Sequence, residues 1–345
     1  MGRIYNEIIA ANDTSADLKL AATAICDGTN DQVEINAAIA AGVGTPYSIL
    51  LLPGTYSIGA GIDFTPLTAA GAKWMEFEAS GTTIQAAANM ATMIKLDPGA
   101  GGQIVTCADI RLGVLDGNAP GGKTVTQIVH ATRFSDNILR IADVKDSSGD
   151  GVRFSLAGVS DYPAGNNKID IEIIRNCAGA AFRATGGTNY YGFQGNTVHI
   201  GNQIANGYGI VLGDTANQNA IYNMFITGPI EVITNDGITD YCGGNTFIVN
   251  NLNGNGKHLA GPTGMNLRST YLVHIDLGTA GTLADDAVLD QHYVLINGSE
   301  YGIHDLKMRA AAPAAPASGF LRLWGKTGDG HIWYTRSDNT SVDLG

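Results

Sequence analysis

The chain has 345 residues, of which 46 are Gly, 15% are charged and 44% are hydrophobic. Gly stands near double its usual share of about 7% and charge well below the usual ~25%, while the apolar content excludes a disordered chain. Twenty basic against 32 acidic residues leave a net charge of −12, which argues against a nucleic-acid-binding surface, because that affinity comes from neutralising phosphates.

No apolar run approaches the length of a membrane-spanning helix, so no membrane insertion is expected. The opening Met1–Glu7 lacks the apolar core of a secretory leader. The next readable element is Cys26-DGTNDQVEINAAIAAG, a loop followed by a helix over 31–41. Asp31 stands where an N-cap belongs, Glu34 in the capping-box position, and Gly42 at the end. Val33, Ala37 and Ile39 would form its apolar stripe. Ile49-LLLPGTYSI then reads as an apolar strand closed by a Pro-Gly turn.

From residue 136 onward similar phrases recur: Asn137-ILRIADV, Asn167-KIDIEIIR, Asn196-TVHIGNQI, Asn219-AIYNMFI and Asn245-TFIVNNL. Each pairs a strand-like run with a small-residue turn and, in most repeats, a second apolar run, as in Val152–Phe154, Gly209–Leu212 and Glu231–Thr234. A period in the twenties with β alternation fits a parallel β-helix better than a helical repeat. Alignment on the Asn residues puts Leu139, Ile169, Val198, Ile221 and Phe247 in one inward row, since residues two apart share a strand face. A second inward row holds Ile141, Ile171, Ile200, Asn223 and Val249, with Asn223 its one polar member. Between them Arg140, Asp170, His199, Tyr222 and Ile248 should face outward. The leading Asn is assigned a tight corner, where it tolerates left-handed backbone and bonds neighbouring amides.

The four cysteines, Cys26, Cys107, Cys177 and Cys242, are widely spaced and read as small buried apolar residues. His130, His258, His274, His292, His304 and His331 show no ligand spacing, so neither metal nor cofactor is expected. Asp170 and Glu172, two apart on an outward face, are the first candidates for an acid/base pair in glycan cleavage, with Asp146 and Asp150 as alternatives in the 143–150 loop. Arg140 and His199 flank Asp170 as candidate glycan contacts, and an ordinary cross-strand Arg140–Asp170 ion pair is the competing reading. Tyr190, Tyr191 and Tyr222 are candidate aromatic platforms for sugars, or packing groups against a neighbouring coil or subunit. Beyond Met308-RAAAPAAPASG, an Ala/Pro linker, Phe320–Leu344 alternates apolar and polar across two turns as a short β-meander would.

The phrases DGTNDQVEINAAI and ILLLPGTYSI at 23–60, with GVLDGNAP at 113–120, resemble the N-terminal signature of the pectate-lyase-like β-helix superfamily, which includes phage tailspikes, pectate lyases and polygalacturonases. The tail resembles C-terminal segments of phage tail and fibre proteins. The resemblance implies an all-β, right-handed, single-stranded parallel β-helix over 45–307. An N-terminal segment and capping helix (1–44) would precede it, with the linker 308–319 and a small β-module (320–345) after it. It implies a virion appendage, homotrimeric, made in the host cytoplasm, meeting other tail or capsid proteins and a host surface polysaccharide. The catalytic motifs of polygalacturonases and pectate lyases are not recognisable here, which leaves a depolymerase and a secreted or cell-surface β-helix protein as alternative readings.

Overall fold

The structure is a computed structural model that describes residues 4–42, 46–65, 75–97, 108–155, 164–185, 192–214, 219–261, 269–275, 282–284, 293–298, 308–309, 321–326, 332–336 and 341–343. Side chains are described through residue 274. Cys107, Tyr190, Tyr191, His292, His304, His331 and residues 310–319 of the linker lie outside the described residues.

The molecule is mostly β and divides into two units, Met1–Val294 and Leu295–Gly345. In the first unit the chain alternates between two long parallel sheets. One carries Tyr47–Leu51, Met75–Ala86, Ala108–Asp116, Ile138–Lys145, Lys168–Arg175, Thr197–Ile204, Met224–Glu231, Thr246–Asn253 and Thr270–Ile275 in spatial order. The other carries Ile62–Asp63, Met90–Leu96, Val125–Ala131, Asp150–Ser155, Ala180–Thr185, Tyr208–Leu212, Asp236–Asp240, Lys257–Ala260 and Thr282–Ala284. A short third ladder joins Ala164–Gly165 to Phe193–Gln194. Because each strand pairs with those of the repeats before and after it, every rung repeats the face pattern of the last.

The register sets Leu139, Ile169, Val198, Phe225, Phe247 and Tyr271 side by side across six strands. All six are buried. The rings of Phe225 and Phe247 stack at 5.2 Å and those of Phe247 and Tyr271 at 4.8 Å. A fully buried side chain of this size contributes about 1.5–3 kcal/mol over leaving it in water. The fourth repeat therefore departs from the expected alignment. Its leading residue is Asn223, not Asn219, and Phe225 takes the place assigned to Ile221. Ile226, not Tyr222, follows His199 on the outer face. The Glu231–Thr234 run is likewise not a second strand: Glu231 ends the first-sheet strand, Val232 turns the corner with φ 54°, and the next strand begins at Asp236.

Asn137, Asn167, Asn196, Asn223 and Asn245 are all buried and form a continuous ladder. The backbone N–H of each of the first four donates to the side-chain oxygen of the next at 3.0, 3.0, 3.0 and 3.1 Å. The side-chain amides of Asn167, Asn196 and Asn223 donate to the same oxygens at 2.9, 2.9 and 3.0 Å. Left-handed backbone belongs to the residue before each ladder Asn: Asp136, Asn166, Gly195, Tyr222 and Gly244 have φ between 57° and 71°. The ladder ends on Ser269 Oγ, which accepts from Asn245 N–H at 3.0 Å and donates to the buried Asp240 at 2.6 Å.

At the N-terminal end the helix Gln32–Ala41 buries Ile35, Ala38 and Ile39, while Val33 and Ala37 of the expected stripe are exposed. Asp31 precedes it but makes no side-chain cap bond. Its carboxylate accepts instead from Gly28 N–H at 2.9 Å and Ser57 N–H at 2.7 Å, tying the entry loop to the strand Thr55–Ile58. In the second unit Leu321–Lys326, Ile332–Arg336 and Ser341–Asp343 form an antiparallel meander, and Met308–Arg309 adds a parallel edge.

Candidate functional site

The first sheet presents Glu78, Arg111, Arg140, Asp170 and His199 at one register position on successive strands. Strand spacing is about 4.8 Å, so each charge meets its neighbours directly. Arg140 does not bond Asp170. Its guanidinium donates to Asp109 at 2.8 Å, and Arg111 clamps the same carboxylate at 2.8 Å while reaching Glu78 at 3.3 Å. Asp170 pairs with His199, Nδ1 to Oδ1 at 2.9 Å, and both side chains are well exposed. Glu172 is exposed on the same strand, beside Gly201 of the next repeat. Tyr222 is 62% exposed at the corner below this column. Downstream of His199 the column turns apolar through Ile226, Ile248 and Leu272.

Asp146 and Asp150 lie away from that face. Asp146 sits at the corner after Ile138–Lys145 with φ 59°, and accepts from Asn176 Nδ2 at 3.0 Å. Asp150 opens a strand of the second sheet and is buried. One carboxylate oxygen accepts from Ala180 N–H at 2.8 Å. The other meets Arg183 Nε at 3.0 Å and Arg153 Nη1 at 3.5 Å. The four candidate carboxylates thus occupy two sheets and the corner between them, with Asp170 and Glu172 alone sharing a strand.

Asp150 belongs to a cleft of about 360 Å³ lined by Thr126, Gly149, Asp150, Arg153, Arg183, Thr185 and Asp214. That volume is at the lower end of the range for small-molecule pockets. Arg153 and Arg183 meet there because Val152–Ser155 pairs in register with Phe182–Thr185. Sequence reading overlooked both, although each follows an apolar residue at the same point of its repeat.

His130, beside Arg153 on the adjoining strand, is held below the usual imidazole pKa, first by burial and then by Arg153. Burial likewise lowers His258, whose Nδ1 lies 3.2 Å from Asn255 Nδ2. Burial pushes the Cys26 and Cys177 thiols up to about 12, so they are poor nucleophiles. Among the described residues no group of three or more His, Cys, Asp or Glu gathers as a metal site. Also among the described residues, no helix is long and apolar enough to cross a membrane. Compared with protein-family models, curated proteins and solved structures, the chain matches none.

Proposed function

We propose that this chain is a right-handed parallel β-helix acting as a virion appendage, a tailspike, tail fibre or related attachment component, that binds a host surface glycan without cleaving it. Support for the architecture comes from the repeated alternation between two parallel sheets, with a short third ladder at Ala164–Gly165 and Phe193–Gln194. The helix Gln32–Ala41, which buries Ile35 and Ile39 and lies against Glu7–Ala10, Thr55–Ile58 and Ile62–Asp63, is read as the cap of the first coil. Support for the virion comes from the sequence resemblance at 23–60 and in the C-terminal meander.

The observation that carries binding over catalysis is the engagement of the carboxylates. Asp109, Asp143 and Asp150 each bind at least one guanidinium, so their oxygens are spent on contacts within the coil stack and are not presented as an open pair of carboxylates to a substrate. A depolymerase remains the second reading because the exposed Asp170–His199 pair has the reach for acid–base work.

Assembly is proposed to be a homotrimer whose contact includes Met224, Ile226, Ile248 and Leu272, apolar side chains 36–43% exposed on one sheet face. The test is incubation of the protein with immobilised capsular polysaccharide or lipopolysaccharide. Retention on one glycan with no oligosaccharide released supports the attachment reading. Release of oligosaccharide replaces it with the depolymerase, and retention on none of them removes the glycan role. A native mass equal to one chain at micromolar concentration overturns the trimer.

A further inference from the structure

Three cationic side chains and a half-buried histidine occupy one register position on the outer face of the second sheet. Lys95 pairs with His130, His130 with Arg153, and Arg153 with Arg183. With strands about 4.8 Å apart, the column is about 14 Å long. It stands on a protein of net charge −12, so it is not an average patch of this surface.

Its charge is only partly answered. Lys95 meets Asp63 at 3.5 Å. Arg153 and Arg183 share a single oxygen of Asp150, whose other oxygen is held by Ala180 N–H. Among the described residues Arg153 Nε is buried with no hydrogen-bond partner. Two guanidiniums spending one carboxylate oxygen between them leave donors for a second oxyanion, and a planar fork matches carboxylate or phosphate oxygens in pairs. The cleft beside them adds the Thr126 and Thr185 hydroxyls and the Asp214 carboxylate. Hydroxyls and a carboxylate suit the ring hydroxyls of a sugar and have no use for a bare inorganic anion.

We infer that the Arg153–Arg183 cleft binds an acidic saccharide unit, its carboxylate or phosphate on the two guanidiniums and its ring hydroxyls toward Asp214 and Thr126. The inference rests on the glycan-binding reading above and gives that reading a ligand class and a site. Lys95 extends the basic track along the coil stack, with the mainly neutral His130 between it and Arg153, so a longer anionic chain gains a further contact in the same direction.

Titration calorimetry at low salt tests this with three probes: a glucuronate-containing hexasaccharide, glucose 6-phosphate and the neutral maltohexaose. The acidic probes should bind at least ten times more tightly than maltohexaose and weaken as salt is raised. Binding of the glucuronate probe alone, or of glucose 6-phosphate alone, assigns the oxyanion. Arg183→Gln should lower the affinity for the acidic probes tenfold or more. Thr126→Glu, which adds a negative charge at the exposed rim and leaves the Asp150 pairs intact, should do the same with an unchanged melting curve. Equal affinity for neutral and acidic probes, or acidic binding unaffected by both variants, overturns the site while leaving glycan binding elsewhere in place. Binding of inorganic phosphate as tightly as glucose 6-phosphate, with no hexasaccharide bound, overturns the saccharide assignment.

Discussion

Asn167 donates twice to one atom of Asn196: its backbone N–H at 3.0 Å and its side-chain amide at 2.9 Å both end on Asn196 Oδ1. Asn196 repeats the gesture toward Asn223, and its side-chain amide also reaches the Ala164 carbonyl at 3.0 Å. At this corner the chain turns between strands, and the amide groups that leave the sheet would otherwise be buried without partners. A side chain carrying both a donor and an acceptor on a short stem satisfies them from one rung to the next.

Asn196→Ala should therefore be costly beyond its size. Four side-chain hydrogen bonds vanish and the Asn167 donors are left buried, for an expected loss of about 2–4 kcal/mol. Asn196→Asp keeps the acceptor but turns an oxygen toward two acceptors, Asn223 Oδ1 and the Ala164 carbonyl. Proton uptake relieves that clash, so the Asp variant should regain stability on acidification. Thermal melts of both variants across pH check this; a melt for Asn196→Ala matching the parent overturns it.

The ladder also marks what was legible in the sequence. The alternation of apolar and polar residues after each Asn is a local signal, and it placed four of the five repeats in register. The fourth failed because Asn219 precedes an apolar Ile221 at the expected distance, while the true leader, Asn223, stands four residues on. The warning was present: Asn223 was the one polar residue in an inward row. The left-handed residue before each Asn was not legible, since Asp, Asn, Gly and Tyr all fill that place. The Asp150 cleft was hidden for a different reason. Arg153 and Arg183 are thirty positions apart and meet only through stacking of the second sheet, whose runs carry no repeated polar marker to align on.

His258 gives the protein a pH dependence whose direction follows from burial. The side chain is buried and its pKa lowered, so the folded state prefers the neutral ring. The unfolded chain takes up its proton near the ordinary value of about 6.5, before the folded protein does. The stability contributed by the neutral ring is complete above that value and is lost as pH falls toward the lower folded pKa. His130, lowered by burial and Arg153, acts in the same direction. The melting temperature should fall as pH drops from about 7.5 to about 5, and His258→Gln should flatten part of that slope. A slope identical in the variant overturns the assignment to His258.

Asp170 separates the two functional readings on the first sheet. Its partner is His199 at 2.9 Å, and both are exposed, so an exposed pair of this kind contributes at most about 1 kcal/mol to stability. Asp170→Asn keeps the shape and a hydrogen-bonding oxygen for His199 while removing the charge and the capacity to exchange a proton. On the attachment reading neither the parent nor the variant releases oligosaccharide from a bound glycan, the melting curve shifts little, and the assembly state is unchanged. Acid–base catalysis at this residue would instead give release by the parent that the variant loses, because a carboxamide does not carry a proton between substrate and water. Chromatography of the soluble sugars after incubation reads the difference. Release that survives in Asp170→Asn would place cleavage at another carboxylate, with Glu172 on the same strand the next to replace.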